Sequence, residues 1–540
     1  MDVRRATFIR AVTLAAVAVG TALHLWWVFH THLTSDQAIA GLMGRRIRHG
    51  QFFTFYWGQA YGGAEPYLVA VVTLIDRTSG TVLNLVPTLL AALTAVLVWR
   101  IGRRIAPPGL EVVGAAAGAA VWLGPPVLTM TSSQELGFRG VTLAAGAALV
   151  LTALRAADSW TAVDLAVLGL VAGIGWWSSP EIIYFALPAL GALLGGDRRP
   201  SGAKLALVPA GFVVGAAPWI ATNLRSGFAS LRTSSSPSYA RSDYAGRLSI
   251  FFHKTLPMML GFRLPQTGRW IWGLAGQVLC GLAVLVLLAL VILALAGAGP
   301  VEGRWSRRGL AAGVVVFPLV YAAFPATSFW QQGQYGVYLV PLMALTAAGA
   351  AAALAARGRR RGWSAGGTVA GLTALAMAGA AAVSLTGFDH LRGSTHRGGI
   401  LSGWGEQNRE QDRAARLLEA GGVRYAYAEY WVAYDLDYLS GDRLVVTDPY
   451  ADRWVAEYDR VRRAPDPAWL FFDPNNPAAG RATFASTAPG PFGYPETLFV
   501  AHLHQLGVGY RIVRAGPLDA VIPDRAVAPS EVGIPPPYWH

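Results

Sequence analysis

TSDQAIAGLMGRRIRHGQFFTFYWGQAYGGAEPYL, residues 34–68, follows directly on an apolar run that ends near residue 30. Asp36 therefore stands where the chain leaves its first hydrophobic segment, and a second acid, Glu65, follows in a Gly-Gly-Ala-Glu-Pro turn. Ile39, Leu42, Met43 and Ile47 recur at helical spacing, with Arg45, Arg46, Arg48 and His49 among them. That pattern predicts an amphipathic helix lying in a membrane interface, N-capped by Ser35 or Asp36 and stopped by Gly50. An acid beside hydrocarbon is costly unless it faces a cavity, which singles out Asp36 as a functional residue. The adjacent glycines Gly62 and Gly63 permit a tight turn or close approach of a ligand, and Trp57 and Tyr61 offer flat faces beside it.

The rest of the chain explains why there is a membrane to leave. Of 540 residues, 54% are hydrophobic and only 14% charged, with a mean hydropathy of +0.40. A soluble domain carries roughly a quarter charged residues. Apolar runs near the bilayer-spanning length of about 20 residues lie near 8–30, 81–101, 111–131, 140–156, 163–178, 181–196, 203–222, 271–297, 309–326, 335–356 and 363–386. Lipid offers no partners to a bare backbone, so these runs must be helices. The stretch 67–77 is too short to span and reads as a helix in the interface. The expected fold is a polytopic α-helical membrane protein of about eleven transmembrane helices over residues 1–386, with the first outer loop at 31–80.

Charge sets the expected orientation. Arg4, Arg5 and Arg10 precede or open the first run, and dense basic clusters between later runs fall on the same side: Arg100, Arg103 and Arg104; Arg155; Arg198, Arg199 and Lys204; Arg304, Arg307 and Arg308; and Arg357 with Arg359 to Arg361. The positive-inside rule puts that side, and the N-terminus, in the cytoplasm. An odd number of crossings then leaves residues 387–540 outside. The net charge of +13 is spread in these short clusters and not over one soluble face, which excludes a nucleic-acid partner. Cys280 is the only cysteine, so no intrachain disulfide or cysteine-based metal site can form. The Ala/Arg/Gly bias points to a GC-rich bacterial genome, so the expected location of these helices is a bacterial plasma membrane.

From Gln407 the chain becomes polar and aromatic. A helix-like run, EQNREQDRAARLLEAGG, precedes strand-like runs VRYAYAEYW, RLVVTD, AWLFFD and YRIVRAG, which together predict an extracytoplasmic α/β domain over 387–540.

The pattern Asp36-Gln37-Ala38, a helix ending at Gly50, and then FYWGQAYGGAEPYL resembles the first periplasmic loop of the glycosyltransferase-C superfamily. It is most similar to the bacterial relatives of protein O-mannosyltransferases and lipid A aminoarabinose transferases. GWWSSPEIIYFALPAL (175–190), APWIATNLRSGF (217–228) and AEYWVAYDLDYLSGDRLVV (428–446) extend the resemblance along the chain. It implies a glycosyltransferase-C-like fold and a polyprenyl-phosphate-linked sugar as donor. The sugar would be moved at the outer face of the bilayer to a hydroxyl of a cell-envelope glycan, lipid or protein, with Asp36 matching the catalytic acid. Two departures stand out. Gln37 occupies the place of a second acid, and GQYGVYLVP (333–341) carries Gln334 before Tyr335 where relatives have an arginine.

An acceptor hydroxyl needs a base, whereas a lipid phosphate leaving group needs cations. Asp36 is the expected base of an inverting transfer. Substrate contacts are expected from Glu65, Trp57, Tyr61, Arg45, Gln334 and Tyr335; from Arg139, with Glu135 in the same outer turn to pair with it; and from His253, Lys254 and Arg263. No cofactor is assigned, and a divalent cation at Asp36 and Glu65 stays open. The histidine pairs His30/His32 and His502/His504 lack a carboxylate or cysteine at ligand spacing and read as surface residues. The alternative reading is a transporter or flippase of lipid-linked saccharide. An acid relay buried at the midplane would mark it.

Overall fold

A computed structural model describes residues 3–196, 201–232, 242–297, 299–301, 303–360, 365–395, 408–450, 452–472 and 495–535. Arg198, Arg199 and Arg361, which contribute to the orientation expected above, lie outside these residues. By contacts the chain divides into two compact units. The first holds 1–27, 87–133 and 138–390; the second joins 28–86 and 134–137 to 391–540.

The first unit is helical. Each of the eleven apolar runs falls on a helix or a helix pair, so the element type is as expected. Among the described residues, six helices are long and apolar enough to cross a bilayer. A seventh is the bent pair Gly202–Gly215 and Ala217–Arg225. Its 67° break falls where Pro218 opens the second helix, since proline cannot donate to the preceding turn. Glu111–Leu123, Ala162–Ser178 and Pro180–Leu194 are apolar but shorter. The chain is a multi-pass helical membrane protein. Small residues let these helices touch: GLVAG (169–173) faces GFVVG (211–215), where a Cβ on Gly169 would lie 2.0 Å from the Val208 carbonyl oxygen.

The second unit is built on a five-stranded mixed sheet of order β2-β1-β3-β5-β4, with β1 Tyr425–Tyr427, β2 Val445–Thr447, β3 Ala468–Phe472, β4 Tyr510–Ala515 and β5 Leu518–Pro523. β1 pairs in parallel with β2 and β3 through crossover helices Tyr430–Ser440 and Val455–Arg462. β4 and β5 form an antiparallel hairpin whose β5 strand adds to β3. Tyr427, Val445, Trp469, Phe499, Leu503 and Val521 make its apolar core.

Three expectations are corrected here. The run VRYAYAEYW is a strand only to Tyr427, and a helix starts at Tyr430 because Glu429 turns the chain in extended conformation just before it. Leu518–Pro523 is a strand that the runs above do not include. The Ser35–Arg48 helix does not lie in an interface: residues from Ser35 to Arg45 are buried on all its faces, except Asp36. It packs against the helices Glu65–Val72 and Tyr430–Ser440. Glu65–Val72 buries Glu65, Val69 and Ala70 and leaves apolar side chains outward: Leu68 and Val71 in it, and Leu74 and Ile75 just after it, are exposed.

Candidate active site

Asp36 sits in the first turn of the Ser35–Arg48 helix, where unpaired backbone N–H groups and the helix dipole favour a carboxylate. The N-cap is Thr34, one residue before the expected cap, and Gln37 accounts for the shift. Its Oε1 accepts from the Thr34 backbone N–H at 2.8 Å, and its Nε2 donates to Asn84 Oδ1 at 2.6 Å. The amide that replaces a second acid is thus fully buried and spent on anchoring the helix start.

Asp36 itself is half-buried, and two phenols reach it. Tyr430 Oη donates to Asp36 Oδ1 at 2.5 Å, and Tyr56 Oη donates to the Asp36 carbonyl at 2.5 Å. Ser35 Oγ donates to the Tyr430 carbonyl at 2.5 Å, so neighbouring residues lace the two helix starts together. The Arg453 guanidinium lies 5.0 Å from the centre of the Tyr430 ring and its Nη1 donates to the Gly58 carbonyl at 3.3 Å. Burial, with the Asp36 charge second, pushes the Tyr56 phenol well above the ordinary tyrosine range, so it stays a donor. Burial does the same at Tyr430, with Arg453 opposing.

Around this centre the other predicted loop residues take structural partners. Trp57 stacks on Trp454 with ring centres 4.4 Å apart, so that face is already covered. Tyr61 closes the small hairpin in which Phe55 bridges Gly62, its carbonyl accepting from Tyr56. Arg45 is buried, donates to the Tyr438 carbonyl and lies 3.3 Å from Asp442. Arg46 binds Glu457 at 2.9 Å. Glu65 is buried at the start of its helix, and buried Glu135 accepts from the Gly137 N–H at 2.9 Å.

In the first unit, Arg139 lies over the Phe138 and Tyr335 rings at 4.5 and 5.5 Å, and Glu181 is its electrostatic partner. Glu181 in turn accepts from Tyr338 Oη at 2.8 Å. Gln334 is buried beside Tyr335 in the sequence. Lys254 and Arg263 flank one ring, Trp330, at 5.2 and 5.6 Å. Burial and the neighbouring Arg263 hold the Lys254 ammonium below the ordinary lysine range. His253 is exposed and turned back on the Ser249 carbonyl at 2.9 Å, while its own carbonyl accepts from Arg263. Among the described residues no three His, Cys, Asp or Glu side chains are grouped to hold a metal ion. His502 and His504 lie on the helix Glu496–Gln505, where residues two apart point to different sides, whereas His32, expected at the surface, is buried.

The family model described as dolichyl-phosphate-mannose-protein mannosyltransferase matches residues 64–221. Among solved structures, ArnT from Cupriavidus metallidurans in the apo state matches with a TM-score of 0.57 at 13% identity, covering 94% of this chain and 97% of that one. The same protein bound to undecaprenyl phosphate matches with a TM-score of 0.55, at the same identity and coverage. The chain has the glycosyltransferase-C fold. No curated protein sequence matches it.

Within this glycosyltransferase-C fold, the position of Asp36 was readable from sequence and the residues that dress it were not. Tyr430 and Arg453 come from almost 400 residues downstream. The one sequence signal for Tyr430 is the aromatic run AEYW in the stretch 428–446 that resembles the superfamily, and Arg453 lies beyond that stretch. Glu181 likewise lies in the run GWWSSPEIIYF, where a single acid after a proline gives no sign that its partner is Arg139.

Proposed function

We propose that this glycosyltransferase-C protein moves a sugar from a polyprenyl-phosphate donor to a hydroxyl of a cell-envelope glycan, lipid or protein, at the outer face of a bacterial plasma membrane. The carrying observation is Asp36: a half-buried carboxylate at a helix start, one oxygen held by a phenol. Support also comes from the fold likeness to ArnT, which binds undecaprenyl phosphate. In this reading the N-terminus is cytoplasmic, about eleven helices cross, and residues 387–540 are extracytoplasmic.

Asp36 takes the acceptor proton as the hydroxyl oxygen attacks the anomeric carbon, a contribution of about 10²–10⁴-fold. The bond from that carbon to the phosphate oxygen breaks on the opposite face, its electron pair leaves with the lipid phosphate, and configuration inverts. The departing charge needs cations. Arg139, Lys254 and Arg263 are the candidates, and the last two are the stronger pair. They crowd one another beside Trp330, and a phosphate would relieve that repulsion, whereas Arg139 is already countered by Glu181. Arg45 and Trp57 support the site and leave substrate contact to other residues.

Asp36→Asn keeps the side-chain shape but cannot accept the proton. Donor binding should stay near normal while turnover from a polyprenyl-phosphate sugar falls by about 10²-fold or more. Near-normal turnover in a folded Asp36→Asn protein would remove Asp36 as the base. Lys254→Ala should weaken donor binding by about tenfold, and unchanged donor affinity would clear Lys254 of that role.

A further inference from the structure

We infer that Tyr430, supplied by the C-terminal part of the chain, is a positioning residue for the Asp36 carboxylate, held in place by Arg453. This rests on the reading of Asp36 as the base. Three observations converge. Tyr430 Oη donates to Oδ1 at 2.5 Å, which occupies one carboxylate oxygen and leaves the other to the acceptor. The Tyr430 ring is buried and fixed on its own helix by Trp431 at 4.9 Å and Tyr434 at 5.5 Å, both edge-on, so the phenol has little freedom to swing away. The Arg453 guanidinium lies over the ring, 5.0 Å from its centre. A cation beside a phenol strengthens its O–H as a donor.

Arg453 is itself anchored through both backbone and side chain. Its backbone N–H donates to Tyr434 Oη at 2.7 Å, and its side chain reaches the Gly58 carbonyl. That approach needs a glycine: a Cβ at residue 58 would lie 2.6 Å from Arg453 Cδ, and Gly58 has a φ of +66°. The WGQAYGG turn thus meets the segment after β2 at Arg453, which lies over the Tyr430 ring. Tyr56 has a separate task, because it holds the Asp36 backbone and not its carboxylate. A carboxylate so constrained presents its free oxygen in one direction, and orientation of this kind is where positioning residues lower barriers.

The test is Tyr430→Phe, which keeps the ring and removes the hydroxyl. Turnover should fall by about 10–100-fold with the donor KM unchanged. In an Asp36→Asn background the same change should alter the residual rate by less than about twofold, since the phenol acts only through the carboxylate. An equal loss in both backgrounds, or wild-type turnover in the single variant, would overturn the proposal. Carbodiimide labelling of carboxyl groups, read by mass spectrometry on the full-length protein, examines the contact without turnover. Labelling of Asp36 should rise several-fold in Tyr430→Phe, and unchanged labelling would equally overturn the proposal. If the wild-type protein transfers no sugar from polyprenyl-phosphate donors, the functional reading fails, while the labelling result still decides whether Tyr430 restrains Asp36.

Discussion

Gly58 and Glu429 show how much a single position near Asp36 carries. Alanine at residue 58 would have to adopt a left-handed backbone, at a cost of about 1–2 kcal/mol, and would push on Arg453. Gly58→Ala should therefore lower the melting temperature in detergent and reduce turnover as well, and a variant with both unchanged would show that Arg453 adjusts freely. Glu429 sits directly before Tyr430, and burial, with Asp448 second, pushes its carboxyl up from 4.5 to about 8. The folded protein thus holds a proton that the unfolded chain releases near 4.5. This contribution to stability is fully present below that value and is lost as pH rises through about 8. Thermal stability should fall between pH 5 and pH 9 in the wild type and fall less in Glu429→Gln. Identical pH profiles would show that Glu429 does not drive the loss.

The Ser35–Arg48 helix illustrates what periodicity can and cannot read. Its extent follows from apolar spacing and from the stop around His49 and Gly50. Its surroundings do not, because an arginine-bearing helix beside a membrane looks alike whether lipid or protein covers it. Here protein does, and Arg46 shows the consequence: it binds Glu457, which is buried, at 2.9 Å and stands 5.2 Å from the Trp454 ring. Burial raises the Glu457 carboxyl and Arg46 pulls it back. Arg46→Ala should cost about 3–5 kcal/mol by leaving a buried charge without its partner. The loss should be larger at pH 8 than at pH 5, since at the lower pH the orphaned carboxyl takes a proton, and adding Glu457→Gln should recover part of it. Chemical denaturation at the two pH values reads both effects. Tyr430 and Trp431, the end of the strand-like run VRYAYAEYW, open the Tyr430–Ser440 helix for a related reason. Its aromatic residues favour strands intrinsically, whereas burial of Tyr430, Tyr434 and Tyr438, four residues apart on one helical face, overrides that preference.

Across the whole molecule, the helical runs of the first unit follow from hydropathy alone, and the orientation proposed for them can be checked directly. In a Cys280→Ala background, a cysteine at exposed Gln505 should react with an impermeant reagent added from outside, and one at exposed Pro108 should not. The reverse pattern would turn the chain over and move Asp36 to the cytoplasmic face. The short spacing of Gly169 and Gly173 against Gly211 and Gly215 fits the close helix contacts of a membrane protein, where small residues let backbones approach.

Composition and the period of apolar residues dictate that this chain forms membrane helices followed by an α/β segment, because both depend on local patterns within about 20 residues, whereas the mixed strand order is set by tertiary pairing. The place of Asp36 at the first helix exit is equally local. Its environment is not: Tyr430, Arg453 and the partners of Arg45 and Arg46 arrive from about 400 residues away through packing of the Tyr430–Ser440 helix, the segment after β2 and the Val455–Arg462 helix. Side chains brought together by chain closure leave no periodic trace, so the carboxylate could be read from sequence and the phenol that holds it could not.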